Sequence, residues 1–168
     1  MIYFVNDYQE GCIPEILNKM QENNYSASVG YGNDNHCERA RALIREEIKS
    51  PNADVHFITG GTLTNKIVIN AFLRSYEGVV CADTGHIATH ETGAIERGGN
   101  KILTVKNHNG KILPEQIEML VNEHIEGLSR EHTVKPGMVY ISFPTEVGTT
   151  YTLGELRDIS TVCRRHGL

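Results

Sequence analysis

Three stretches of the chain place amides and polar side chains where chemistry could be done. The first, Thr59-Gly-Gly-Thr-Leu-Thr-Asn65, joins an apolar run to a helical pattern. Its two glycines let backbone approach a ligand closely. The free amides of Gly61, Thr62 and Leu63 at a helix start would suit a phosphate, through unpaired N–H groups and the helix dipole. Hydroxyls of Thr62 and Thr64 could add donors. The same residues also read as an ordinary strand-to-helix turn with Thr62 as N-cap, and they match neither Walker A nor G-x-G-x-x-G. The second stretch is Asp83-Thr-Gly-His-Ile-Ala-Thr-His-Glu91. An imidazole at His86 could stack on a planar cofactor or move protons, although a lone histidine is as readily a hydrogen-bonded structural residue. His86 and His90 stand four apart, a spacing that chelates metals on a helix. No H-E-x-x-H pattern and no third ligand accompany them, so no metal site is expected. The third stretch, Ser142-Phe-Pro-Thr-Glu-Val-Gly-Thr-Thr-Tyr151, offers Thr145 and Glu146, with Gly148 allowing a turn. Such loops are polar by default. What raises all three above background is that each leaves the carboxyl end of an expected strand, the rim where open α/β sheets bind ligands.

The elements that must position these stretches follow from the hydrophobic pattern. Val55–Ile58, Val79–Ala82, Ile102–Val105 and Met138–Ile141 are short apolar runs without alternation, as expected of strands buried on both faces. Helical patterns separate them. Leu63–Arg74 is apolar nearly all round, and Pro114–Leu128 opens with a proline and carries Ile117, Leu120, Val121, Ile125 and Leu128 on one face. Thr152 and Glu155 have capping-box spacing ahead of a helix running to about His166, which Gly167 stops. Alternating strands and helices of this length imply α/β architecture with a mostly parallel sheet. Ahead of this core lies a stretch rich in Asn, Gly, Ser and Tyr. It is broken by a short helix around Pro14–Gln21 and followed by one from about Cys37 to Ile48, with Asn33, Asp34 and Asn35 as cap candidates.

Composition bounds the class. The chain has 168 residues, 39% hydrophobic and 22% charged, which is ordinary for a globular domain. A net charge of −5 argues against a nucleic-acid or anionic-membrane surface. No apolar run approaches the ~18 residues of a membrane span. The N-terminus has no basic leader, and four scattered cysteines (Cys12, Cys37, Cys81, Cys163) lack any C-x-x-C pair. The expected compartment is the cytoplasm, with reduced thiols.

Taken in order, the motifs resemble the low-specificity threonine aldolase and β-eliminating lyase family, enzymes of the aspartate-aminotransferase fold that use pyridoxal 5′-phosphate (PLP). Asn6-Asp7 and Tyr31-Gly-Asn-Asp34 look like the family's N-terminal arm. Gly60-Gly-Thr-x-x-Asn65 is similar to its phosphate turn, Asp83-x-x-His-Ile87 with His90-Glu-x-Gly-Ala94 to its D-x-x-H-I…Y-E-x-G-A segment, and Pro144-Thr-Glu-x-Gly-Thr149 to a loop of one branch. The resemblance covers essentially the whole chain. It implies that Gly61 and Thr62 bind the PLP phosphate, that Asn65 supports the turn, and that His86 stacks on the pyridine ring and helps proton transfer. It places Thr145 near the cofactor, and Asn6, Tyr31 and His90 near the substrate, with Tyr31 reaching a neighbouring subunit's site. Asn6 stands where the family often has Ser, and His90 where Tyr is frequent.

The resemblance also implies features that 168 residues do not contain: a D-G-A-R segment whose Asp pairs with the pyridinium nitrogen, and a later Lys that forms the Schiff base. PLP chemistry needs both, and Lys66 is no substitute on position. The expectation is therefore an inactive N-terminal portion, with residues 1–50 as arm and helix and 51–168 as the first half of an incomplete PLP-transferase large domain. Such a portion exposes strand edges and faces and is expected to be poorly soluble or molten alone. The full-length enzyme is expected to be a homodimer or homotetramer cleaving a β-hydroxy amino acid to glycine and an aldehyde. Other PLP chemistries on that scaffold, β-elimination and transamination, stay open. So do a self-contained phosphate-ligand-binding α/β domain and an interaction protein using the Asn- and Tyr-rich arm.

Overall fold

Apolar runs become sheet where a neighbour is there to pair with. In the computed structural model, which describes residues 5, 6 and 8–168, β1 (Glu77–Ala82), β2 (Lys101–Val105) and β3 (Lys135–Val139) form a parallel sheet in the order β2-β1-β3. Asp7, part of the expected arm motif, lies outside the described residues. The central strand β1 is buried from Gly78 to Ala82, which is why its sequence is a continuous apolar run. Val79 and Cys81 join one core with Ile69, Leu73, Ile87 and Ile95. Ala82 joins another with Ile112, Ile117, Tyr151, Ile159 and Val162. Helices α3 (Gly61–Phe72) and α4 (His86–Thr89) thus supply one face, and α5 (Pro114–Glu126) and α6 (Leu153–His166) the other.

The chain divides into two compact units, Met1–Phe57 and Ile58–Leu168. The sheet and both cores belong to the second. In the first, α1 (Pro14–Asn23) buries no residue, and α2 (Asn35–Glu47) is capped by Asp34, whose carboxylate accepts the Cys37 amide at 2.9 Å.

Two strand expectations are corrected. Val55–Ile58 forms no strand among the described residues. A strand exists only where a ladder exists, and here the Ala53 and Val55 carbonyls accept instead from Arg45 Nε (2.8 Å) and Arg41 Nε (3.2 Å) of α2. The run expected at Met138–Ile141 begins earlier, at Lys135, and includes Pro136 and Gly137. Pro136 is tolerated because β3 pairs on one side only among the described residues. Gly137 is required by close approach, since a Cβ there would meet Leu73 Cδ2 at 2.8 Å and Glu77 Cβ at 3.0 Å. Neither residue is apolar enough to register in a hydrophobic run.

The capping box of α6 forms as its spacing suggests. Thr152 Oγ1 accepts the Glu155 amide at 3.2 Å, and Glu155 Oε2 accepts the Thr152 amide at 2.6 Å. Lys111 Nζ lies 2.8 and 2.9 Å from the two Glu155 oxygens. The Lys111 ammonium, followed by the Thr152 amide, pulls the Glu155 carboxyl down to about 2 from 4.5. A lowered carboxylate pKa stabilises the fold above the unfolded value, and that stability is lost as pH falls through the folded one. Glu155→Gln is therefore expected to flatten the loss of stability between pH 4.5 and about 2, measured by denaturant unfolding across that window.

Candidate active site

Gly60 is the N-cap of α3, with φ 86° and ψ 152°, a left-handed conformation suited to glycine. The first intrahelical bond runs from the Thr64 amide to the Gly60 carbonyl at 3.2 Å, and the Thr64 hydroxyl donates to the same carbonyl at 2.9 Å. The alternative that Thr62 caps the helix is thereby replaced. The amides of Gly61, Thr62 and Leu63 have no hydrogen-bond partner among the described residues and stand at the positive end of a 12-residue helix. A Cβ on Gly60 or Gly61 would meet nothing within 4 Å, so the space before these amides is open. A cavity of about 570 Å³ adjoins the turn, lined among others by Thr62, Lys66, Thr92, Gly93 and Arg97. It combines free amides, two cations and three threonine side chains, a donor set that suits a phosphate.

One helical turn further on, Asn65 Nδ2 donates to Glu91 Oε1 at 2.7 Å. Glu91 is buried, and its other oxygen, Oε2, has no hydrogen-bond partner among the described residues. His86 Nε2 faces Glu91 Oε1 at 4.0 Å, while Nδ1 lies 3.5 Å from Glu146 Oε2. The same Glu146 oxygen is 4.0 Å from His90 Nε2, and the two imidazoles stand 5.4 Å apart, tilted by 51°. Asn65, Glu91, His86, Glu146 and His90 thus form one polar cluster, continuous through α3 with the phosphate-suited turn. Tyr140 stands close by, and burial raises its hydroxyl above the ordinary tyrosine value.

The cluster's supports are local. Asp83 Oδ1 accepts the amide and the side-chain nitrogen of Asn107 (2.9 and 2.8 Å), and these bonds, the side-chain one foremost, hold its carboxyl below the usual value. Thr145 is buried, with its hydroxyl 2.7 Å from that of Thr149. In the Met1–Phe57 unit, Asn6 Oδ1 accepts the Tyr8 amide at 3.1 Å, and Tyr31 is fully exposed with φ 65°. Among the described residues, no group of three or more His, Cys, Asp or Glu could hold a metal. No helix is long and apolar enough to cross a membrane.

Reading the sequence brought out Gly61, Thr62, Asn65, His86 and His90 as site residues but gave no role to Glu91. A buried carboxylate on the far side of a histidine leaves no periodic trace. The sequence places Glu146 with Thr145 among the polar groups at the rim where a site would be, but its proximity to His86 across 60 positions is invisible without the fold.

The sequence model of the beta-eliminating lyase family matches residues 9–168. The chain belongs to that family. This β-eliminating lyase family member is 33% identical to the low specificity L-threonine aldolase of Pseudomonas sp. (strain NCIMB 10558) and 34% identical to that of Pseudomonas aeruginosa. Each match covers 98% of this chain and 47% of the relative. The solved structure of Leishmania major threonine aldolase superposes with a TM-score of 0.91 at 49% identity, over 98% of this chain and 47% of that one. The family member described here therefore spans about half the length of the relatives it matches.

Proposed function

We propose that this chain is the cofactor-cradling part of a PLP-dependent lyase that cleaves a β-hydroxy amino acid, such as threonine, to glycine and an aldehyde. The observation that carries the reading is the likeness to the Leishmania major threonine aldolase over 98% of the chain at 49% identity. The site's chemistry fits the cofactor independently: three unpartnered amides and the cations Lys66 and Arg97 border an open cavity, with His86 tied to the same helix through Glu91 and Asn65.

In this reading the Gly61 and Thr62 amides, with the Thr62 hydroxyl, hold the phosphate. Asn65, bonded to Glu91, keeps the helix start in place. His86 lies against the pyridine ring, orients it, and moves a proton at the substrate through a ring nitrogen. When bound, PLP supplies an electron sink that stabilises the carbanion left when Cα–Cβ breaks. His90 is assigned to the substrate and Thr145 to the cofactor. Asn6 and Tyr31 are assigned to substrate, Tyr31 in a neighbouring subunit. The lysine that anchors the cofactor is assigned to sequence beyond these 168 residues, so this portion alone is inactive. The whole protein is a homodimer or homotetramer acting on amino acids in the cytoplasm.

The test is PLP-dependent release of glycine and acetaldehyde from L-threonine by the whole gene product. Turnover that needs added PLP is the expected result, and none at any PLP concentration would overturn the reading. Thr62→Ala removes one charge-assisted hydrogen bond to the phosphate and is expected to weaken PLP binding about tenfold, measured by fluorescence titration.

A further inference from the structure

We propose that Glu146 is a positioning residue for His86, fixing which ring nitrogen carries the hydrogen; the catalytic consequence rests on the proposed function, the placement itself does not. Both nitrogens of His86 face carboxylates, Nδ1 toward Glu146 at 3.5 Å and Nε2 toward Glu91 at 4.0 Å. The two carboxylates are not equivalent. The Glu91 oxygen facing the ring already accepts a short hydrogen bond from Asn65, at 2.7 Å. Glu146 Oε2 lies 3.5 Å from His86 Nδ1 and 4.0 Å from His90 Nε2, and accepts no other hydrogen bond among the described residues. A lone pair on Nδ1 would point at a carboxylate oxygen. A hydrogen there donates to it. The ring therefore carries Nδ1–H, and Nε2 is left as the nitrogen that exchanges a proton. A long nucleophile-to-orienter contact of this kind tightens when the site closes on a ligand, and the arrangement follows the base-and-orienter logic of catalytic dyads.

The placement of Glu146 is not left to a free loop. A closed circuit of bonds runs from His86's own segment to Glu146 and back. Asp83, three residues before His86, receives the amide and side chain of Asn107. Asn107 Oδ1 accepts the Gly110 amide at 2.9 Å, and the Asn109 carbonyl accepts the Thr149 hydroxyl at 2.7 Å. That hydroxyl lies 2.7 Å from the buried hydroxyl of Thr145, whose amide donates to the Thr149 carbonyl at 2.8 Å. Glu146 follows Thr145 directly. Loops leaving all three strands are therefore locked together, and the circuit closes across the Glu146–His86 contact. The two apolar cores that cover the sheet are built from other residues.

The experiment reads the hydrogen itself. Ring-nitrogen shifts of His86 are measured by magic-angle-spinning NMR on the whole histidine-labelled protein without cofactor, at a pH where the ring is neutral, with His86→Gln identifying the signals. Nδ1 is expected to be pyrrole-like and Nε2 pyridine-like, the reverse of a free histidine side chain. Glu146→Ala is expected to return His86 to the ordinary Nε2–H form, whereas Glu146→Gln keeps Nδ1–H because its amide oxygen still accepts. His124, whose Nδ1 lies 2.9 Å from Thr133 Oγ1, serves as the folding control in both variants. An Nε2–H form in the unsubstituted protein, or unchanged His86 signals in a folded Glu146→Ala variant, would overturn the proposal. In the PLP-loaded enzyme Glu146→Ala is expected to lower kcat about 10- to 100-fold with little change in KM, and Glu146→Gln to recover part of it. Absence of cleavage by the unsubstituted enzyme would count against the proposed function alone, since the nitrogen shifts decide the positioning role without any turnover.

Discussion

Replacing His86 with Ala is expected to lower threonine cleavage by the whole protein about 100- to 1,000-fold, the range lost with a positioned acid–base group. His86 is the only side chain of the cluster that touches both carboxylates, Glu91 and Glu146. Under the proposed function, its removal takes away the ring assigned to the cofactor and the group assigned to carry the proton at the substrate. It also leaves Glu91, buried with one oxygen unpartnered among the described residues, without the imidazole that faces it. The phosphate-suited turn is unaffected, because the Gly60 cap and the start of α3 at Gly61 make no bond to His86. PLP affinity is therefore expected to fall much less than kcat. Steady-state kinetics at saturating PLP, set beside a direct PLP titration, separate the two. A variant that kept a tenth or more of the activity would remove His86 from the chemistry.

The second large effect is structural. Gly110→Ala is expected to lower the free energy of unfolding by about 2–5 kcal/mol, summing the cost of a left-handed alanine and of overpacking. Gly110 has φ 82°, and a Cβ there would meet Thr145 Oγ1 at 2.5 Å and Val147 Cγ2 at 2.7 Å. Thr145 is buried and bonded to Thr149, so it has no room to swing aside. Gly148 is the control. Its φ is 80°, yet a Cβ meets nothing within 4 Å, so Gly148→Ala carries only the backbone cost of about 1–2 kcal/mol. Urea unfolding of both variants checks the pair, and equal losses would mean that the contact with Thr145 carries no weight. Gly110→Ala also strains the circuit that holds Glu146, and is expected to lower activity even where the protein remains folded.

How much of this was legible in sequence depended on whether the decisive interaction was local. The α6 capping box, the Pro114 helix start and the Gly167 stop depend on neighbours within a few residues, and each appears where its pattern placed it. β1 was legible because a strand buried on both faces reads as an unbroken apolar run. β2 was legible from Ile102, Leu103 and Val105, although it is only half-buried and exposes Thr104, so the expected burial on both faces holds for β1 and not for β2. Val55–Ile58 is likewise mostly apolar, yet it lacks a partner among the described residues, and pairing is not written in a strand's own residues. The start of β3 was hidden by Pro136 and Gly137, whose presence reflects an unpaired side and a close approach to Leu73 rather than hydrophobicity. In the site, the glycine turn was visible as a residue pattern at a helix start, and His86 as a histidine just beyond the end of β1. The carboxylates flanking His86 were not, because Glu91 acts from within the core and Glu146 from 60 residues away.

The most direct test of the account is to add PLP to the whole gene product, reduce with borohydride, and locate the label by intact mass and peptide mapping. The account predicts one stoichiometric pyridoxyl adduct, on a lysine outside these 168 residues, and its loss in competition with excess inorganic phosphate at the Gly61–Thr62 turn. No specific adduct, or an adduct on Lys66 or any other lysine of this chain, would contradict it.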